Sequence, residues 1–279
     1  MPITEFFNLS ENMGETHNWA VVSHKRENVT LGRLAKAIAT AIVEFRCRRC
    51  PHHFQAWANK AEKGLPLVES SSAALKAFLT PTFGEPGSKN NKGQTDQLEG
   101  FVSEWIWYFI TSENPTNQIV YQIPPGFKSI DPGGDGFIIH RLSSGTLMYR
   151  LWEMKKFAPT SDDTTQRISS TIERAYSQLN SNAMEYLARI TTTEQETVNP
   201  ELEEFLGLLP DLWVDASPQA AAGVSIATSF KYVESNCFDN FGARFPRFTQ
   251  PVRLRGMITG VLDFSKLSLL IQEYIWKGL

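Results

Sequence analysis

Glu153 and Lys155 stand two residues apart near the end of the apolar run "TLMYRLWEMKKF", and Asp135 opens the preceding run "DGFIIHRL". In an extended chain, residues two apart share a face, so this Glu and Lys point the same way. The two runs are joined by "SSG". A three-residue hairpin loop favours a type I turn followed by a left-handed residue, the place that Gly145 takes. With 143–145 as the loop, Leu142 pairs with Thr146 and Asp135 falls directly opposite Glu153. Opposed side chains on one face have Cβ atoms about 4.5–5.5 Å apart. Two carboxylates that close repel, and a divalent cation between them reverses the sign of the interaction. The pattern therefore points to metal-assisted chemistry with a lysine beside it. It depends on register, since a slip of one residue moves every side chain to the other face.

The runs themselves argue that these charges have partners. "LMYRLW" and "FIIH" are apolar on both faces, as in a central strand. Unpartnered charges are costly there.

The surrounding elements follow from periodicity. The spacing predicts a helix over "NVTLGRLAKAIATAIVEFRCRR", capped by Thr30, with Leu34, Ile38, Ala41, Ile42 and Phe45 on one face. A short helix is expected over 70–79. The Gly-, Pro- and Asn-rich "TPTFGEPGSKNNKGQTDQ" reads as a linker, dividing an N-terminal extension (1–93), mostly helical with one strand, from a main domain (94–279). In that domain "TDQLEGFVSEWIWYFITSE" predicts a helix. Strands are expected at 118–123, 135–142 and 146–157. A long amphipathic helix follows, with Ile168, Ile172, Ala175, Leu179 and Leu187 in register. Two later strands, "AAGVSIATSF" and "RLRGMITGVLDF", precede a closing helix. The predicted fold class is α/β, its core running helix, three-stranded meander, helix, strand.

In this order, an Asp opening one strand, Glu-x-Lys closing the next, a leading helix that carries Glu104 and a following helix, the chain resembles the PD-(D/E)xK nuclease superfamily. The resemblance covers residues 94–230 and implies a restriction-endonuclease-like fold. Position by position it makes Asp135 and Glu153 the metal-binding carboxylates, Lys155 the catalytic lysine and Glu104 the additional acid. Glu99 is a less favoured substitute for Glu104, and Gln166 or Gln178 matches a glutamine of the following helix. The Pro-Asp pair is not intact: Gly134 precedes Asp135, so Asp131 in "DPG" competes for the metal site. The implied activity is DNA phosphodiester hydrolysis with Mg²⁺ (or Mn²⁺) held by Asp135, Glu153 and Glu104, and the Met154 carbonyl as a further ligand. Lys155 would orient or deprotonate water, or neutralise the phosphoryl oxygens. A narrower likeness of "LEGFVSEWIWYF", "GGDG" and "LWEMKK" is to the HamA effectors of Hachiman antiphage systems, which pair with HamB helicases. It implies control by such a partner. The alternatives are a non-catalytic scaffold subunit with a nuclease-like fold, and a restriction or repair nuclease acting alone.

Composition narrows the classes. A net charge of −3 and a pI of about 6.0 give no global basic signature, so binding DNA would need a locally basic channel or a partner. Local candidates are "HKREN", "RCRR", "SKNNK" and, above all, "ARFPRFTQPVRLR", where Arg244, Arg247, Arg253 and Arg255 alternate with Phe245 and Phe248. Three cysteines fit a reducing compartment rather than a disulfide framework. No run approaches the ~18 apolar residues of a membrane span. A cytoplasmic, soluble protein is expected. "CRRCPHH" (Cys47, Cys50, His52, His53) lacks the spaced second pair of a structural zinc site. His140 reads as a packed histidine, and "WIWYF" as a core helix face.

Overall fold

The computed structural model describes residues 2–87, 92–114, 118–126, 135–159, 168–193, 199–234 and 236–279. Strands β1 (Phe7–Met13) and β2 (Asn18–His24) come first, then helices α1 (Leu31–Arg46), α2 (Pro51–Lys63), α3 (Glu69–Leu79) and α4 (Lys92–Glu113). Strands β3 (Ile119–Ile123), β4 (Gly136–Arg141) and β5 (Leu147–Phe157) form the meander. Helices α5 (Ile168–Thr193), α6 (Pro200–Gly207) and α7 (Leu209–Val214) lead to β6 (Ala220–Ser229). The short α8 (Phe241–Arg244), β7 (Leu254–Val261) and α9 (Phe264–Lys277) complete the chain.

The seven strands form one mixed sheet in the order β1-β2-β7-β6-β5-β4-β3. Its centre is parallel, β2 to β7, β7 to β6 and β6 to β5, while β1, β4 and β3 join antiparallel. Helices cover both faces, which explains why β5, β6 and β7 are buried almost throughout. One face packs α1, α4 and α9 around Ile38, Trp105, Trp152 and Ile271. The other packs α5 to α8 around Tyr149, Leu179, Phe205 and Phe241. The fold is α/β, as expected.

The expected boundary at 93/94 is no break in this architecture. Asn18 of β2 pairs with Arg255 of β7, and Val21 with Ile258. Leu34 and Ile42 of α1 share a core with Phe264 and Ile271 of α9. Residues 1–93 therefore supply two strands of the common sheet and part of its cover. Helix α1 begins as expected, with the Thr30 hydroxyl accepting from the Arg33 N–H at 3.2 Å.

Candidate active site

The hairpin that sets the site has the register its turn demands. Leu142 N–H donates to Thr146 O at 2.9 Å, Gly145 N–H donates to Leu142 O at 2.8 Å, and Gly145 takes φ 86°. That left-handed conformation costs an L-residue with a Cβ about 1–2 kcal/mol. Beyond the turn Arg141 pairs with Leu147 and Gly136 with Trp152. The next step along this register puts Asp135, just outside β4, opposite Glu153.

Alternation then sorts the side chains. Leu151 and Phe157 of β5 join the core under α5, whereas Trp152 and Met154 join the core under α4. Glu153 and Lys155 share the α5 side and Lys156 the α4 side. Gly136 lets the strand start tightly, since a Cβ there would lie 2.6 Å from both Met154 Cε and the Trp107 ring.

Asp135, Glu153 and Lys155 converge. Lys155 Nζ lies 2.5 Å from Glu153 Oε1 and 3.7 Å from Asp135 Oδ2. Asp135 Oδ2 also accepts the Met154 N–H at 2.7 Å, which locks the loop residue onto β5. The Glu153 side chain is only 7% exposed; those of Asp135 and Lys155 are 22% and 25% exposed. Burial, then the nearby Asp135 charge, pushes the Glu153 carboxyl up to about 7. Burial likewise raises Asp135, against the pull of Lys155 and the Met154 N–H. Burial alone would lower Lys155, but Asp135, Glu153 and Glu104 outweigh it and hold the ammonium above its ordinary value. One cation thus serves two carboxylates, Glu153 buried and Asp135 half-buried, leaving negative charge uncompensated.

Glu104, on α4, is near enough for its charge to act on Lys155. Among the described residues no group of three His, Cys, Asp or Glu is placed to hold a metal ion. Glu99 is occupied elsewhere, accepting from Lys156 Nζ at 2.5 Å, with Asp96 Oδ1 2.6 Å from the same ammonium. Asp131 and Gln166 lie outside the described residues.

Beside Lys155 an open cleft of about 1000 Å³ runs between β5 and α5. Its wall includes Lys155, Lys156, Ser170, Arg174, Ser177 and Gln178. Gln178 is thus among the residues that line the cleft. Lys156 and Arg174 were not foreseen; their signal was position alone, one residue past Glu-x-Lys and on the helix that follows.

The other candidates have structural occupations. Arg244 pairs with Glu173 at 2.5 Å, and Arg247 donates to Trp213 O and Val214 O at the end of α7. Arg253 is 7% exposed and donates to Ala220 O and Ala216 O, while Arg255 pairs with Glu11. These guanidinium groups tie loops and strands together, and Phe245 and Phe248 between them are core. Cys47 is buried, which pushes its thiol up to about 11. His53 Nδ1 lies 3.3 Å from Ser71 Oγ. Trp105, Ile106 and Trp107 are core residues. No helix among the described residues is long and apolar enough to cross a membrane.

No protein-family model matches the sequence, and no curated protein matches it.

Proposed function

We propose that the chain is a metal-dependent nuclease of the PD-(D/E)xK type that hydrolyses DNA phosphodiester bonds. The observation that carries this reading is the convergence of Asp135, Glu153 and Lys155 at one end of the β4–β5 hairpin, beside an open cleft lined by Lys155, Lys156 and Arg174 together with Asp96 and Glu173. The donors suit Mg²⁺ or Mn²⁺. Mg²⁺ is usually held by one or two carboxylates and keeps several waters. Asp135 and Glu153 supply two carboxylates whose shared burial leaves negative charge to offset. When bound there, the cation would supply Lewis-acid activation of water and of the phosphoryl group.

The chain's own groups do the rest. Burial of Glu153 keeps bulk water from screening the site, which strengthens the interactions inside it. Met154 N–H fixes the Asp135 carboxylate. Lys155 presents an ammonium between the acids and the cleft, where it can orient water or meet the phosphoryl oxygens of a bound strand. Glu104 acts from α4 by adding to the field that keeps Lys155 charged.

A second reading, a scaffold subunit that keeps the fold without catalysis, is favoured by one observation. Lys155 bridges both carboxylates, and no third ligand converges among the described residues. A Mg²⁺-dependent plasmid cleavage assay separates the two readings. The near-neutral overall charge supports dependence on a DNA-handling partner, such as a helicase of the HamB kind in an antiphage complex. Co-purification from cells that express the neighbouring genes tests that part.

A further inference from the structure

A second charged cluster lies nearer the start of β5 and faces away from Glu153. Arg150 is 5% exposed on the central strand, on the Trp152 side of the sheet. Five residues of strand, about 16 Å, separate it from Lys155. Its Nη2 donates to Val252 O at 2.5 Å and its Nη1 lies 3.3 Å from His140 Nε2, while its Nε has no partner. The neighbouring arginines have their own acids. Arg141 is held bidentately by Glu201 at 2.8 and 2.7 Å, and Arg255 pairs with Glu11. Arg150 makes no ion pair among the described residues. Glu11 acts on it through space while pairing with Arg255, so this buried guanidinium has no acid of its own, a costly state for a fold.

This surplus charge borders a space of the right size. Arg141, Arg150, Arg255 and His140, with Asn18 and Gln118, line a cavity of about 290 Å³. The local field is positive. Burial foremost, then Arg150 and Arg255, pushes His140 down to about 3, and burial foremost, then Arg255, against the pull of Glu11, pushes Arg150 down to about 9.

We infer that this cavity is a binding site for a small phosphate group, free or as a nucleotide monoester, with Arg150 as its buried anchor. Arginine forks match phosphate oxygens with short charge-assisted bonds. Pro251 and Val252 form part of its wall, and its volume suits a compact anion rather than a duplex backbone. The inference does not depend on the nuclease reading, since Arg150 and His140 face the side of the sheet opposite Glu153 and Lys155.

Calorimetric titration of the full chain with inorganic phosphate, at constant ionic strength, tests it. Saturable one-site binding is expected, retained in Lys155→Ala and weakened by about tenfold or more in Arg150→Met. The Met side chain keeps the stem and its packing, and native circular dichroism shows that the variant folds. The wild-type titration stands alone if it does not. Adenosine monophosphate in a parallel arm distinguishes the sources: tighter binding than phosphate identifies a nucleotide, and equal binding identifies the free anion. Three outcomes overturn the inference: no saturable phosphate binding to the native protein, binding undiminished in a folded Arg150→Met, or binding lost only in Lys155→Ala. Displacement of phosphate by a duplex lacking terminal phosphates would also overturn it, in favour of a nucleic-acid surface.

Discussion

Lys155 Nζ sits 2.5 Å from Glu153 Oε1, two residues back on the same strand, and the same ammonium reaches Asp135 across the hairpin at 3.7 Å. Glu153 is buried on a central strand, so this contact partners a charge that the fold would otherwise not carry. It partners only half of the acidic pair. Predictions about pH, metal and register follow from that imbalance.

Glu153 makes the native state take up a proton that the unfolded chain has already released. Its native value of about 7 lies above the ordinary value of 4.5. Its contribution to stability is therefore fully present below about pH 4.5 and is lost as pH rises to about 7. His17, His24 and His140, all lowered by burial, act in the opposite sense below their ordinary value of 6.5. The readout is thus a difference between variants. Urea melts without divalent cations should show Glu153→Gln gaining stability over the native chain as pH rises from 5 to 8. A pH-independent difference would show that Glu153 titrates normally.

Mg²⁺ should counter the same penalty. Above pH 7, where the acids are ionised, millimolar Mg²⁺ should raise the melting temperature of the native chain. It should leave that of Asp135→Asn nearly unchanged. Equal shifts in both would place the cation elsewhere.

Register is the hinge between sequence and chemistry. Gly145→Ala forces an L-residue to φ 86° and should cost about 1–2 kcal/mol in chemical denaturation. The loop length is kept, so Asp135 should stay opposite Glu153. A loss of stability below about 0.3 kcal/mol would show that the turn does not set the pairing.

The β4–β5 hairpin was legible because its determinants are local: a three-residue loop, a glycine at the third place and an apolar run on either side. The helices followed from periodicity, α1 even to its Thr30 cap. Other features were not legible, for two physical reasons. The pairing of Asn18 with Arg255 joins the two ends of the chain, and nothing local marks β2 as the neighbour of β7 rather than part of an appendage. The arginines of "ARFPRFTQPVRLR" read as a basic surface because a charge run carries no sign of burial. Their partners are mostly carbonyls of remote segments, such as Ala220 O for Arg253. Phe245 and Phe248 between them were the available clue, since a solvated stripe has no reason to alternate with core aromatics.

The shared sheet makes a prediction about truncation. A chain of residues 94–279 would lose β1 and β2 and strip α9 of its α1 cover, exposing Ile271 and Phe264. It should show weak near-ultraviolet dichroism and bind hydrophobic dyes. A cooperative thermal transition close to that of the full chain would mean that the N-terminal third is dispensable.

The most direct test of the central claim is plasmid cleavage by the purified chain with Mg²⁺ or Mn²⁺, alone and with its co-expressed partner. The account predicts cation-dependent strand cleavage that falls by about 10²-fold or more in Lys155→Ala and similarly in Asp135→Asn and Glu153→Gln, with folding intact. Cleavage at native rates in those variants, or none by the native chain under any of these conditions, would contradict it.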